Sequence, residues 1–457
     1  MLIVDLIITN YKFKHMKNFN VRKLLAGALI LSSIGFAGCE DDTPDYNPLN
    51  LYKTYPLNEL SDAAKEVRDY VKLDAVIAHR GSTFWAPEET EAAFRWARNM
   101  GADYLELDLQ RTSDGFLLAL HDGNLQRTSN IESVFPGQDD YPVSRFTLKQ
   151  LRQIDAGSWF NIDKPENARN SFIGLQICTL KDVLLIAEGM KVKRDSEGKP
   201  YYKKADGTET LDLEESLIGE FVFVDDDKDN GNRPGVYVET KEPYLFPGME
   251  ADLAEFLSEV GWNVTDSPRA IVTTPGKVDV ANTKARVILQ TFSRESVVNL
   301  EKELPNVPKC MLLWGDESAS YVRPSNTVES LAEWINFSVE YNCHIAGPSI
   351  AGKPNSYPEV TEPWMCEMYH RAGMIIHAYS FDTEDQLRKY NGDYFYAGVS
   401  RFDDANRKIS GDFAYDVNRN MFIDGGFTNL TDLSMKYQNR SVDGTAQEVM
   451  EDLGYTL

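Results

Sequence analysis

With 457 residues and 42% hydrophobic content, the chain holds enough apolar material for one large α/β domain, and a second is not required. Forty-seven basic residues (Lys+Arg 47) against Asp+Glu 71 give a formal net charge of −24, which argues against nucleic-acid binding and against broad attraction to anionic membranes. A small anionic ligand would have to be drawn in by local positive charge.

The first predicted element is a leader. Met16-Lys17 and Arg22-Lys23 precede an apolar run from Leu24 to Gly38 that ends at Cys39, a charged region followed by an apolar one too short for a comfortable transmembrane helix. The sequence GFAGC resembles a lipobox, so residues 1–39 are expected to be a cleaved signal that leaves Cys39 as a lipidated first residue. That implies a membrane association through a lipid anchor and a place in the cell envelope of a Gram-negative bacterium, periplasmic or surface-exposed. Residues 40–61 are rich in Pro, Asp and Asn without periodicity, as a linker would be. A single domain is expected over 62–457.

Within that domain, DAVIAH (Asp74 to His79), DYLELDL (Asp103 to Leu109) and FLLALH (Phe116 to His121) are short apolar segments bounded by Gly or Asp, which suits buried parallel strands. Between the first two, PEETEAAFRWARNMG predicts a helix, with Pro87 near its start and Gly101 as its stop. Five further strands are expected in GVYVETK, RVILQTF, KCMLLW, CHIAGP and MIIHAY, separated in several places by helical patterns. Such alternation points to an α/β class and a closed eight-stranded TIM barrel, with insertions after strands 3 and 8. The insertions are expected at about 123–179, where one would cover the substrate site, at 191–234, where KPYYKKADGTET suggests a small hairpin, and at 390–421.

Glu106 and Asp108 are two apart on a strand and share a face, which in a closed barrel is the interior, where paired carboxylates are costly unless neutralised. Glu239 and Lys241 repeat that spacing. Glu106, Asp108 and Glu239 make an oxygen ligand set for Ca²⁺ or Mg²⁺. Arg80 and Lys241 would face a phosphate, and His79 and His121, each at a strand's C-terminal end, are candidates for a general acid/base pair. Neither CxxC nor HExxH spacing is present, so nothing suggests zinc.

HRG, PEET, ELD, SDGFLLALHD, ETK, LQTF and DGGFTNLTD, in that order from about Val76 to about Tyr437, resemble the signature of the glycerophosphodiester phosphodiesterase family. The long spacing between HD and ETK resembles its periplasmic, calcium-dependent branch. The resemblance implies a TIM barrel with Glu106, Asp108 and Glu239 on one divalent cation, Ca²⁺ ahead of Mg²⁺. His79 and His121 would be the acid/base pair, with Arg80 and Lys241 on the phosphate. It implies a glycerophosphodiester substrate cleaved to sn-glycerol 3-phosphate and an alcohol. Glu88 matches a supporting active-site glutamate and Gln290 a polar residue of the fifth segment. Glu89 stands where the family has Asn and is expected to add a negative charge beside the site. Another phosphodiester headgroup, such as that of a lysophospholipid, and a surface binding protein without turnover are the alternatives.

Other features have plainer readings. DDDKDNG (Asp225 to Gly231) lacks the Gly and Glu of an EF-hand loop and is expected to be a solvated acidic turn. His377 is either a substrate-side or a hydrogen-bonded wall residue, while His344 and His370 are structural. Cys178, Cys310, Cys343 and Cys366 could pair in an oxidising envelope, with Cys310 and Cys343 expected as buried thiols.

Overall fold

The structure, a computed structural model, describes residues 51–266, 268–315, 327–390, 423–440 and 442–457. The leader, Cys39, the first part of the expected linker and nearly all of the 390–421 insertion lie outside the described residues. Among the described residues, no helix is long and apolar enough to cross a membrane.

Eight parallel strands close a barrel: β1 (Ala75–Ala78), β2 (Tyr104–Arg111), β3 (Gly235–Thr240), β4 (Val287–Thr291), β5 (Lys309–Leu313), β6 (Ile345–Pro348), β7 (Ile375–Phe381) and β8 (Gly425–Thr428). Each pairs with its chain neighbour, and β1 closes the ring by pairing with both β8 and β2. Alternation along the strands sorts the side chains. Leu105, Leu107, Leu109, Val236 and Val238 face outward onto Phe94 and Trp96 of the helix α1 (Glu91–Met100). Tyr104, Tyr237, Ile288, Cys310 and Phe427 fill the interior. The floor of the barrel carries a recurring device, an aspartate immediately before a strand. Asp103 Oδ2 accepts from the Val76 amide at 2.9 Å, and Asp424 Oδ2 accepts from the Ile376 amide at 2.8 Å.

Two strand assignments differ from expectation. The FLLALH segment does form a strand (Leu117–Ala119), but it runs antiparallel on the far end of β2 and is not a barrel stave. Only the turn Thr112 to Phe116 separates the two, far short of the dozen residues that a parallel crossover needs. The eighth stave is instead GGFT. Its glycines are required by packing: a Cβ on Gly425 would lie 2.7 Å from the His377 ring, and one on Gly426 would lie 2.6 Å from the Phe381 ring. The insertions expected after strands 3 and 8 therefore follow barrel strands 2 and 7.

The expected linker is also shorter at its described end. Tyr52 and Leu60 are buried in the core under β6 and β7, and Leu60 donates its amide to Ala372 at 2.9 Å. Apolar residues spaced through that Pro-rich text dock it on the barrel. The 191–234 insertion contains the expected hairpin, Tyr202–Lys203 against Glu209–Thr210. DDDKDNG is not a solvated turn throughout. Asp226 is buried and receives both Arg95 (2.8 and 2.9 Å) and Arg98 (2.7 Å), tying this turn to α1.

Candidate active site

The chemistry-bearing side chains converge at the C-terminal mouth of the barrel, the end where loops after strands are free to vary. Register sets the first contacts. Asp108 on β2 is the partner of Glu239 on β3, which is in turn the partner of Gln290 on β4. Like charges directly opposite one another repel. Glu106 joins them from one layer down, and oxygens of Glu106, Asp108 and Glu239 all lie within 4.8 Å of one another with all three residues buried.

The HRG turn follows β1 as a 3₁₀ turn, His79–Gly81, with Arg80 at φ 51°. Gly81 lets it sit on α1, since a Cβ there would be 2.7 Å from the Ala93 Cβ. The turn delivers the Arg80 amide to Glu106 Oε2 at 2.7 Å and its guanidinium Nε to within 3.3 Å of Asp108 Oδ2. Lys241 Nζ lies 3.3 Å from Asp108 Oδ1 and 3.2 Å from Glu239 Oε1. Gln290 Nε2 donates to Glu106 Oε1 at 2.9 Å.

Two cations thus face three clustered acids. Without a bound cation, burial pushes the Glu106 carboxyl well above its ordinary range, with Asp108 adding to the rise. Burial likewise raises Glu239 to about 7, against the pull of Lys241. At Asp108 burial is overcome by Lys241 and its other cationic neighbours, which hold it well below the usual carboxylate range. The donor set fits a hard divalent cation: three oxygen ligands, with Asp108 Oδ2 and Gln290 Oε1 buried and without a hydrogen-bond partner.

The two histidines flank this cluster. His79 Nδ1 is 2.8 Å from Asn429 Oδ1, and burial, reinforced by Arg80, lowers its pKa to about 3. His121 is not at the end of a barrel strand, yet it reaches the same mouth because the Leu120 amide remains bonded to the Asp108 carbonyl. Its Nδ1 is 2.6 Å from Asp122 Oδ1, and burial with Arg80 lowers its pKa too. Both imidazoles are therefore neutral in the resting site, with Nδ1 engaged and Nε2 left for chemistry.

Glu88 is 3.4 Å from Arg80 Nη1 and takes both terminal nitrogens of Arg127, at 3.0 and 2.6 Å. Arg127 also holds Asp122, its Nε lying 2.6 Å from Oδ2. Glu89 is a correction. It is buried behind the site with Oε1 accepting from the Asp108 amide at 2.7 Å, and burial, then the Asp108 charge, raise its carboxyl well above the ordinary range. Its environment thus disfavours the charge expected there.

A cavity of about 290 Å³ opens between these groups. One half is His79, Arg80, His121, Lys241 and the acids. The other is an apolar wall that sequence reading did not anticipate, formed by Phe292, Leu312, Trp314, Tyr357, Tyr379 and Phe427. None of the insertion 123–179 lines it, and Arg127 reaches the site from that segment by way of Glu88 and Asp122. Asp122 and Arg127 were also missed, although both stand in the run after His121. His377 is a wall residue, with Nδ1 3.2 Å from the Tyr237 hydroxyl. His344 accepts the Lys309 amide and His370 pairs with Asp424, so both are structural. Cys178, Cys310, Cys343 and Cys366 are buried free thiols.

Residues 79–247 match the model of the glycerophosphoryl diester phosphodiesterase family. A glycerophosphodiester phosphodiesterase of Bacillus subtilis is 29% identical over 313 residues, 68% of this chain and 78% of that protein. One of Caldanaerobacter subterraneus is 41% identical over 108 residues, 24% of this chain and 38% of the other. Among solved structures, a phosphodiesterase of Oleispira antarctica in complex with the product sn-glycerol-3-phosphate is 18% identical with a TM-score of 0.46, covering 80% of this chain and 97% of that one. The matched segment begins at His79 and runs past Lys241, enclosing barrel strands β2 and β3 and every charged residue gathered at the mouth. Residues 79–247 therefore match the glycerophosphoryl diester phosphodiesterase family, and over 68% of its length the chain is similar to an enzyme of that name.

Proposed function

We propose that this enzyme hydrolyses glycerophosphodiesters to sn-glycerol 3-phosphate and an alcohol, with His79 and His121 as the acid/base pair and one divalent cation on Glu106, Asp108 and Glu239. The observation that supports it best is the gathering of three buried carboxylates within 4.8 Å beside two neutral imidazoles in one cavity. When bound, the cation would polarise a non-bridging phosphoryl oxygen and offset the surplus of negative charge. Carboxylate ligands with an amide oxygen nearby suit Ca²⁺ ahead of Mg²⁺.

Arg80 and Lys241 then hold the phosphate and oppose the charge that builds on its equatorial oxygens. One histidine takes the proton of the attacking hydroxyl, of water or of the glycerol 2-position. A P–O bond forms on that side as the P–O bond to the departing alcohol breaks, and the other histidine protonates the alkoxide; where the glycerol 2-hydroxyl attacks, water then opens the cyclic phosphodiester at its 2-oxygen to give sn-glycerol 3-phosphate. Asp122 backs His121 with a carboxylate where His79 has only the Asn429 amide, so His121 is the better supported as an imidazolium. Residues 1–39 complete the proposal as a signal ending in a lipidated Cys39, which tethers the enzyme to the envelope of a Gram-negative cell.

The test is turnover of glycerophosphodiesters by the purified protein. Activity should vanish in chelator and return with Ca²⁺, and be lost roughly 10²–10⁴-fold in His79→Ala and in His121→Ala. Full activity in excess chelator would break the ligand assignment. Labelling of Cys39 by lipid in cells, absent from Cys39→Ala, tests the anchor.

A further inference from the structure

The cavity is divided between two chemistries, and the reaction uses only one of them. Phosphate, glycerol and cation account for the charged half. The departing alcohol must lie against the remainder, where Trp314, Tyr357 and Tyr379 form a mutually contacting trio of half-buried rings. Trp314 and Tyr379 are nearly parallel, at 15° with centroids 6.4 Å apart. Tyr357 leans against both, 5.0 Å from Trp314 and 6.0 Å from Tyr379. The trio is continuous with the reacting centre, because Tyr379 meets Phe427 at 6.4 Å and Phe427 meets His79 at 6.4 Å. Tyr379 is fixed in place by its hydroxyl, which donates to the Leu313 carbonyl at 2.8 Å.

Each headgroup makes a different demand on such a wall. A polyol needs several convergent donors and acceptors, but Phe292, Leu312 and Phe427 offer only carbon, the Tyr379 hydroxyl is already committed, and the Trp314 indole can only donate, which leaves the Tyr357 hydroxyl as the one acceptor for it among the wall's described residues. A primary ammonium keeps three N–H donors that require acceptors. The carboxylates that could accept them stand across the cavity with Arg80 and Lys241. A long acyl chain exceeds about 290 Å³ once phosphate and glycerol are seated. A trimethylammonium group has no hydrogen bond to satisfy, and its charge is favoured over aromatic faces.

We propose that the wall of Trp314, Tyr357 and Tyr379 is a subsite for a quaternary ammonium headgroup, making choline-type glycerophosphodiesters the preferred substrates. This rests on the phosphodiesterase reading above and narrows its substrate class.

The deciding comparison uses glycerophosphocholine and its neutral 3,3-dimethylbutyl counterpart, which has the same shape without the charge, alongside glycerophosphoethanolamine. The choline ester should show a KM about tenfold lower than the neutral ester. That ratio should fall toward one in Trp314→Leu and in Tyr357→Leu, the second guarding against a fold defect in the first. Tetramethylammonium should bind the wild type by calorimetry and bind both variants more weakly. Equal use of the charged and neutral esters, a preference for the ethanolamine ester, or a choline-to-neutral ratio untouched by both variants would overturn the subsite. Loss of turnover on every diester would overturn the proposed activity instead, and the tetramethylammonium titration would then still decide what the wall binds.

Discussion

Buried acids occur at both ends of this barrel, but they are compensated differently. At the floor, Asp103 lies 2.8 Å from Lys72 and 2.6 Å from Arg440, and these cations overcome its burial to hold it below the usual range. Asp226, against α1, has Arg95 and Arg98, and despite its burial they bring it to about 2. At the mouth, Glu106, Asp108 and Glu239 share Arg80 and Lys241, so acids outnumber cations and two of the three carboxyls are driven upward. An acid that serves the fold is given its counter-charges by the fold. An acid cluster left short of them marks a place where the missing positive charge comes from outside.

The largest effect should come from breaking a completed pair. Asp226→Ala leaves Arg95 buried without the carboxylate it grips and Arg98 with only Asp229 at 3.5 Å, and should cost about 3–5 kcal/mol in urea unfolding. A loss below about 1 kcal/mol would mean that the pairing is incidental. Asp122 sits between the two groups of acids: Arg127 clamps it as the fold clamps Asp103, but its other oxygen holds His121. Asp122→Asn should therefore lower kcat roughly 10–100-fold, the range for partners that orient a catalytic group, with little change in KM. A KM effect of the same size would show that it serves binding and not orientation.

An acid from the short-changed cluster should behave in the opposite sense to Asp226. In metal-free protein at pH 8, Glu106→Gln removes a like charge and should raise stability by about 1–2 kcal/mol, while the added stability that Ca²⁺ gives the wild type disappears. Destabilisation of the metal-free variant would place Glu106 among the structural acids.

How much of this was legible follows from which interactions are local. The ELD spacing put Glu106 and Asp108 on one face because strand alternation is a backbone property, and HRG and ETK followed the same rule. FLLALH was misassigned since hydropathy reports a strand without its direction. The turn Thr112 to Phe116 held that information in its length. GGFT was passed over as a strand because two glycines have poor β-propensity, and only the packed rings of His377 and Phe381 explain them. Burial of Asp226 depends on two arginines of α1, more than a hundred residues away, and the aromatic wall depends on rings from several strands and a loop. No window of sequence contains such convergences.

The smallest prediction concerns an apparent exception at the floor. Asp74, directly before β1, lies near Asp103 and Asp424. Burial, helped by Asp424 and Asp103 and opposed by Lys72, raises it to about 7. Its pKa is higher folded than unfolded, so between about pH 4 and pH 7 the folded state binds more protons and stability falls as pH rises; below that window the penalty is absent, and above it the penalty is complete. Because Asp74 is only half-buried, solvent screening reduces the cost to about 1 kcal/mol. Asn carries no charge and tolerates the φ of 64° at this position. Asp74→Asn should accordingly gain about 1 kcal/mol at pH 8 and nothing at pH 4, measured as the difference between variant and wild type because Glu239 titrates in the same window. A gain of equal size at both pH values would show that the backbone conformation, not the charge, is what Asp74 costs the fold, and the floor would then hold no uncompensated acid.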